Sequence, residues 1–225
     1  MAAKGLEKSK SPRDMIYFPV AYNVVGLVFV SVLYAVAPEH SVETETLNNV
    51  LYLGVLITHW SVLCIMLRRL GVNGLRELVT PKKQLRGFPS LLVFASLHVL
   101  FTTYMVLALL AGRIPLWGKV DLPLAVYYIV IHPLTAGFIE ELVWRGYFIE
   151  KQLAAGQTEW RANIYSAISF AFIHGVIVFD KLIVTFVWGV IAGMYYLRER
   201  NLPVLMVTHV IVDVTAFWLT LFRPI

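Results

Sequence analysis

Long runs without charge, separated by short charged stretches, constrain this chain more than anything else in it. Uncharged or nearly uncharged runs cover residues 15–37, 46–67, 88–112, 122–139, 162–179, 182–197 and 202–222. The fourth is expected to continue as helix through Glu140 to about Leu153. Most approach the roughly 20 residues that cross a hydrocarbon core, and the sixth is short at 16. A backbone in hydrocarbon must satisfy its own hydrogen bonds, which helices do. The pattern therefore predicts an all-α polytopic membrane helix bundle of about seven transmembrane helices, held in the cell (plasma or inner) membrane among lipids.

Charge placement supports this reading. Only 15% of residues are charged and the mean hydropathy is +0.73, against roughly 25% charged in an average soluble domain. Lys4, Lys8, Lys10 and Arg13 precede the first run, and the following loop has Glu39, Glu43 and Glu45 without a base. Arg68, Arg69, Arg76, Lys82, Lys83 and Arg86 follow the second run, whereas only Arg113 and Lys119 follow the third. Lys151 and Arg161 follow the fourth, Lys181 alone the fifth, and Arg198 and Arg200 the sixth. Stronger and weaker basic loops alternate, which predicts a cytoplasmic N-terminus. This accounts for the net charge of +5 without nucleic acid as a partner. The run from 15 is longer than a signal-peptide core, so it is expected to remain as an uncleaved first span. The stretch from Arg68 to Arg86 reads equally as a plain basic loop or as an interfacial amphipathic segment ending at Pro81.

One cysteine, Cys64, lies in an apolar run, so no disulfide framework or CxxC site exists, and packing is its expected role. Trp117 and Trp160 fall at expected membrane interfaces. Gly189 and Gly193 form a GxxxG spacing that favours close helix contact.

Ionisable groups inside a span are costly and are candidates for chemistry. Glu140-Glu141-Leu142-Val143-Trp144-Arg145 puts two carboxylates about 100° apart on one helix, so the two are not expected to share a partner. Glu141 and Arg145 are placed to pair at i, i+4, which would leave Glu140 free to face a cavity and act as a general base. His174 closes Phe170-Ala171-Phe172-Ile173-His174. His209 and Asp213 share a helix face at i, i+4, and a charged Asp at mid-span costs roughly 2.5–3.5 kcal/mol. His59, His98 and His132 stand singly and are expected to be structural or gating at most. A carboxylate, a histidine and a His/Asp pair on later helices suit the activation of water and the steadying of an oxyanion.

The ordered set EExxxR, FxxxH and HxxxD resembles the CPBP family of CAAX protease and bacteriocin-processing enzymes, also called the abortive infection family, and is similar to type II CAAX prenyl endopeptidases. The matching residues are Glu140, Glu141, Arg145, Phe170, His174, His209 and Asp213. The resemblance implies a glutamic-type intramembrane endopeptidase without a cofactor, acting on a membrane-anchored or lipid-modified peptide or protein. In it Glu140 would be the base, His174 would help to activate water, Glu141 would pair with Arg145, and His209 with Asp213 would form the oxyanion side. Family members carry Asn or Asp at the last position. Asp213 must hold a proton to donate, or orient His209 instead. The chain divides accordingly into variable N-terminal spans (1–121) and a catalytic helix core (122–225) within one membrane domain. Two rival readings remain: a zinc-dependent protease using the same carboxylates and histidines, and a non-enzymatic immunity or proton-coupled transport protein.

Overall fold

The computed structural model describes Val24, Val28 and residues 44–112, 122–174 and 179–221. Among these the regular structure is entirely helical, with no strand. Helix α1 is Thr44–Val79 and α2 is Gly87–Leu110. A continuous rod follows: α3 (Leu122–Val126), a π-helical segment π1 (Tyr127–Ile131), α4 (His132–Glu141), a second π segment π2 (Leu142–Ile149) and α5 (Glu150–Ala154). Then come α6 (Glu159–Ile173), α7 (Phe179–Glu199) and α8 (Leu202–Leu221).

Among the described residues, three helices are long and apolar enough to cross a membrane: Gly87–Leu110, Phe179–Glu199 and Leu202–Thr220. The run expected at 182–197 extends at both ends into the 21-residue α7. The run expected over 162–179 does not: α6 has 15 residues and ends at Ile173, a length of about 22 Å. The first expected span, 15–37, lies outside the described residues apart from Val24 and Val28, and so does Trp117. The stretch after Arg68 is helical as far as Val79, with a break at Gly71, whose φ of 67° favours glycine. Leu78 on it is buried, and the helix stops before Pro81.

The rod reaches the centre of the bundle in its second half, from His132 onward. Every residue of π2 is buried, and Trp144 and Phe148 are wholly enclosed. α4 packs on α8 and α1, while π2 packs on α6. At Gly137 an added Cβ would lie 2.7 Å from the Val210 side chain, so α4 and α8 approach more closely than larger residues would allow. Ser166 Oγ donates to the Trp144 carbonyl at 2.5 Å and Trp144 Nε1 donates to Ser169 Oγ at 3.1 Å, fastening α6 to π2. The GxxxG face of α7 meets α6 as its spacing suggests. An added Cβ at Gly189 would lie 2.8 Å from Ala167 Cα, and one at Gly193 would strike the Asn163 side chain.

One end of the bundle is tied by charge. Lys82 N–H donates to the Arg200 carbonyl at 3.0 Å, and Lys83 donates to the Arg198 carbonyl. Buried Glu150 accepts from Tyr196 at 2.9 Å and pairs with Arg200 and, at 3.4 Å, Lys82. Cys64 is exposed rather than packed, so that expectation fails: its helix turns this face outward.

Candidate active site

Glu140 and Glu141 end α4 where π2 begins, and π turns recur where a helix must aim functional side chains. Both are buried, at 5% and 0% exposure. Glu141 takes a hydrogen bond from Arg145 at 3.0 Å, as the i, i+4 spacing predicts. The Arg145 guanidinium also lies over the Phe170 ring, 4.2 Å from its centroid.

Two expectations about this pair do not hold. The glutamates do share a partner: His209 Nδ1 is 2.8 Å from Glu141 Oε1 while its Nε2 is 3.8 Å from Glu140 Oε2. The imidazole has two nitrogens on opposite sides, and it reaches carboxylates that point apart. Nor is Glu140 left unpaired. Its Oε1 is 2.9 Å from Nε2 of His59, which is buried in α1 at 1% exposure. His59 therefore belongs to the cluster, and the site is not confined to 122–225. A span histidine was a visible signal, but its partner lies 81 positions away and no spacing rule links them.

His174 is the C-cap of α6 rather than a mid-helix residue. Its Nδ1 lies 3.0 Å from the Phe170 carbonyl. A carbonyl only accepts, so Nδ1 carries the proton, and Nε2 faces Glu140 Oε2 at 3.9 Å. Phe170 packs edge-on against both His174 and His209, at 4.6 and 6.2 Å between centroids. Asp213 Oδ1 lies 3.8 Å from His209 Nε2. Trp188 of α7 closes the other side of His209, with ring centroids 5.2 Å apart.

Glu140, Glu141, Arg145, Phe170, His174, His209 and Asp213 thus converge on one buried locus with His59. Of the other two span histidines, His132 packs edge-on against Phe217 and His98 stacks on Phe94. Among the described residues no group of three or more His, Cys, Asp or Glu is arranged to hold a metal ion.

An integral membrane protein with apolar helices around a buried carboxylate–histidine cluster is the class that fold and site define. Residues 122–215, from α3 into α8, match the family model described as type II CAAX prenyl endopeptidase Rce1-like. The match supports a CAAX/CPBP-type protease family for the chain, and hence a hydrolase. No curated protein and no solved structure matches it.

Proposed function

We propose that the chain is a glutamic-type intramembrane endopeptidase that hydrolyses a peptide bond in a lipid-modified or membrane-anchored substrate. One observation carries this reading: Glu140 Oε2 is buried and makes no hydrogen bond, yet faces Nε2 of both His174 and His209 at 3.9 and 3.8 Å. A neutral His174, protonated at Nδ1, presents a lone pair at Nε2. Two acceptors face each other stably only across a proton, and a water that donates to both meets that need. Glu140 then takes one proton as the water oxygen attacks the carbonyl carbon. His209, held through Nδ1 by Glu141, as an imidazolium has a second N–H at Nε2 for the developing oxyanion. Asp213 orients that ring, and Glu140 returns its proton to the leaving amine. Arg145 fixes Glu141 and so acts through His209.

The family match supports CAAX-type substrates, cut next to a modified cysteine; peptide maturation and removal of a C-terminal sorting segment use the same chemistry. The alternating basic loops support a multi-pass arrangement of about seven spans in the cell membrane, with the N-terminus in the cytoplasm.

The test is cleavage of prenylated CAAX peptides and C-terminal sorting segments by purified, detergent-solubilised protein. Glu140→Gln and His174→Ala are each expected to lower kcat/KM by about 100-fold or more while the protein stays folded. Chelation is expected to change nothing. Activity lost on chelation and restored by zinc would replace the glutamic mechanism by a metal one. Wild-type protein that cleaves no peptide, with a cellular function that survives Glu140→Gln, would point to binding or transport.

A further inference from the structure

The oxyanion in the reaction proposed above has a single donor, the Nε2–H of His209. Asp213 as a carboxylate only accepts, and a neutral His174 protonated at Nδ1 carries no hydrogen at Nε2. A developing oxyanion is held best by donors that converge on it from more than one direction. The structure leaves a buried donor beside His209 with nothing to bond.

That donor is the indole N–H of Trp188. The residue is buried in α7, and its Nε1 has no hydrogen-bond partner among the described residues. An indole nitrogen can only donate, and an enclosed donor without a partner is rare in a folded protein. Trp144, also buried, shows the ordinary outcome: its Nε1 donates to Ser169 Oγ at 3.1 Å. Trp188 has no such hydroxyl on its own helix. Thr185, about one turn back, already donates to the carbonyls of Lys181 and Leu182.

Packing fixes the ring where the chemistry is. Trp188 lies between Phe101 of α2, edge-on with ring centres 5.9 Å apart, and His209 of α8, at 5.2 Å and tilted by 52°. Two donors that share one oxygen, each about 2.7–3.1 Å from it, sit no more than about 6 Å apart. Ring centres 5.2 Å apart meet this condition for nitrogens on the facing sides of the two rings. As an imidazolium His209 cannot accept the indole hydrogen, because both of its nitrogens donate. Nδ1 is committed to Glu141 at 2.8 Å. Nε2 faces a space bounded by Glu140 Oε2 and Asp213 Oδ1, each 3.8 Å away. The two N–H groups have nothing to give each other, and both suit a negative oxygen placed between them.

We propose that the Nε1–H of Trp188 is the second donor to the oxyanion, which makes Trp188 a catalytic residue. As the water oxygen bonds to the carbonyl carbon, the π pair moves onto the carbonyl oxygen. That oxygen takes hydrogen bonds from His209 Nε2 and Trp188 Nε1. Trp188 transfers no proton, and the pair returns to re-form the carbonyl when the C–N bond breaks. The inference rests on the peptidase reading.

The experiment uses full-length solubilised protein and whichever of the peptides above wild type cleaves best. Trp188→Phe removes the N–H and keeps an aromatic ring. Trp188→benzothienylalanine keeps the shape of the indole and puts sulfur in place of the N–H. Both are expected to lower kcat about 100-fold with KM nearly unchanged. Two inhibitors complete the test: the matching peptide aldehyde, whose hydrate carries a tetrahedral oxygen, and the peptide with its scissile carbonyl reduced to methylene, which has no oxygen there. Both variants are expected to weaken inhibition by the aldehyde about 100-fold and to leave inhibition by the reduced peptide unchanged. A tryptophan that only packs would keep kcat in the benzothienyl variant, or lose affinity for both inhibitors alike. Either result overturns the inference and leaves the peptidase standing. Wild type that cleaves no peptide overturns the inference together with the peptidase reading.

Discussion

Glu141 and Arg145 show how much of the site depends on single groups. Both side chains are 1% exposed and they meet at 3.0 Å. A buried pair is weak evidence of stability, but removing one member strands the other charge. Arg145→Met is expected to cost about 3–5 kcal/mol. Because Glu141 also holds His209, the variant should lose activity as well. Adding Glu141→Gln should recover part of the stability and none of the activity, read by unfolding in detergent beside peptide cleavage. His59 offers a finer test. His59→Phe keeps an aromatic ring and loses the bond to Glu140 Oε1, so kcat is expected to fall about tenfold, equivalent to about 1.4 kcal/mol, with little change in melting temperature. Equal activity would make His59 a packing residue. The reason one residue was legible in the sequence and the other was not lies in distance along the chain. Glu141–Arg145 and His209–Asp213 are helix-periodic, so spacing alone suggests them. His59–Glu140 is a contact between helices from different halves of the chain, and only the fold creates it. The shared imidazole of His209 was hidden for the same reason: reasoning about one helix cannot see a partner from another.

Among elements, the α6–α7 pair positions most. α6 ends at His174, and its depth is fixed by the small residues of α7 lying against Ala167 and Asn163. Gly189→Leu forces a side chain into backbone, since even a Cβ would lie 2.8 Å from Ala167 Cα. Overpacking of this kind costs about 1–3 kcal/mol. The larger expected effect is on chemistry, because a shift of α6 moves His174 relative to Glu140, and misplacement by about 1 Å can cost about 100-fold. The expected result is folded protein with a modestly lowered melting temperature and strongly reduced cleavage; full activity would mean that α6 is placed by π2 alone. Helix existence was readable from apolar runs, and the GxxxG contact from its glycines. The end of α6 was not, because the residues from Gly175 to Phe179 carry no charge and hydropathy does not register a helix that stops partway. The π segments were equally hidden: widening a turn by one residue leaves no mark in composition, although it accompanies the burial of every residue from Leu142 to Ile149.

At the scale of the whole molecule, outward-facing side chains and loop charges argue for the same orientation. Phe88, Leu110 and Leu122 are 76%, 81% and 76% exposed, a surface that suits lipid and not water. The charge-tied end of the bundle, a latch, joins three stretches that the charge count assigns to one side: Lys82 and Lys83 from the second run's loop, Glu150 beside Lys151, and Arg198 with Arg200. Had the number of crossings between these loops been odd, the bundle could not bring them together at one end. Their contact therefore supports an even number of crossings between each pair, which is what alternation requires. The expected outcome is that this end faces the cytoplasm. A Cys64→Ala background, which removes the chain's one cysteine, permits single cysteines at Lys83 and Glu159 on this end and at Asp180 on the other. In sealed inside-out vesicles an impermeant maleimide should label the first two and spare Asp180→Cys; intact spheroplasts should give the reverse. Labelling of all three from one face would break the alternation and the seven-span count with it. Labelling of the latch positions from outside would keep the bundle but invert it, and substrates would then have to reach Glu140 from the opposite side of the membrane.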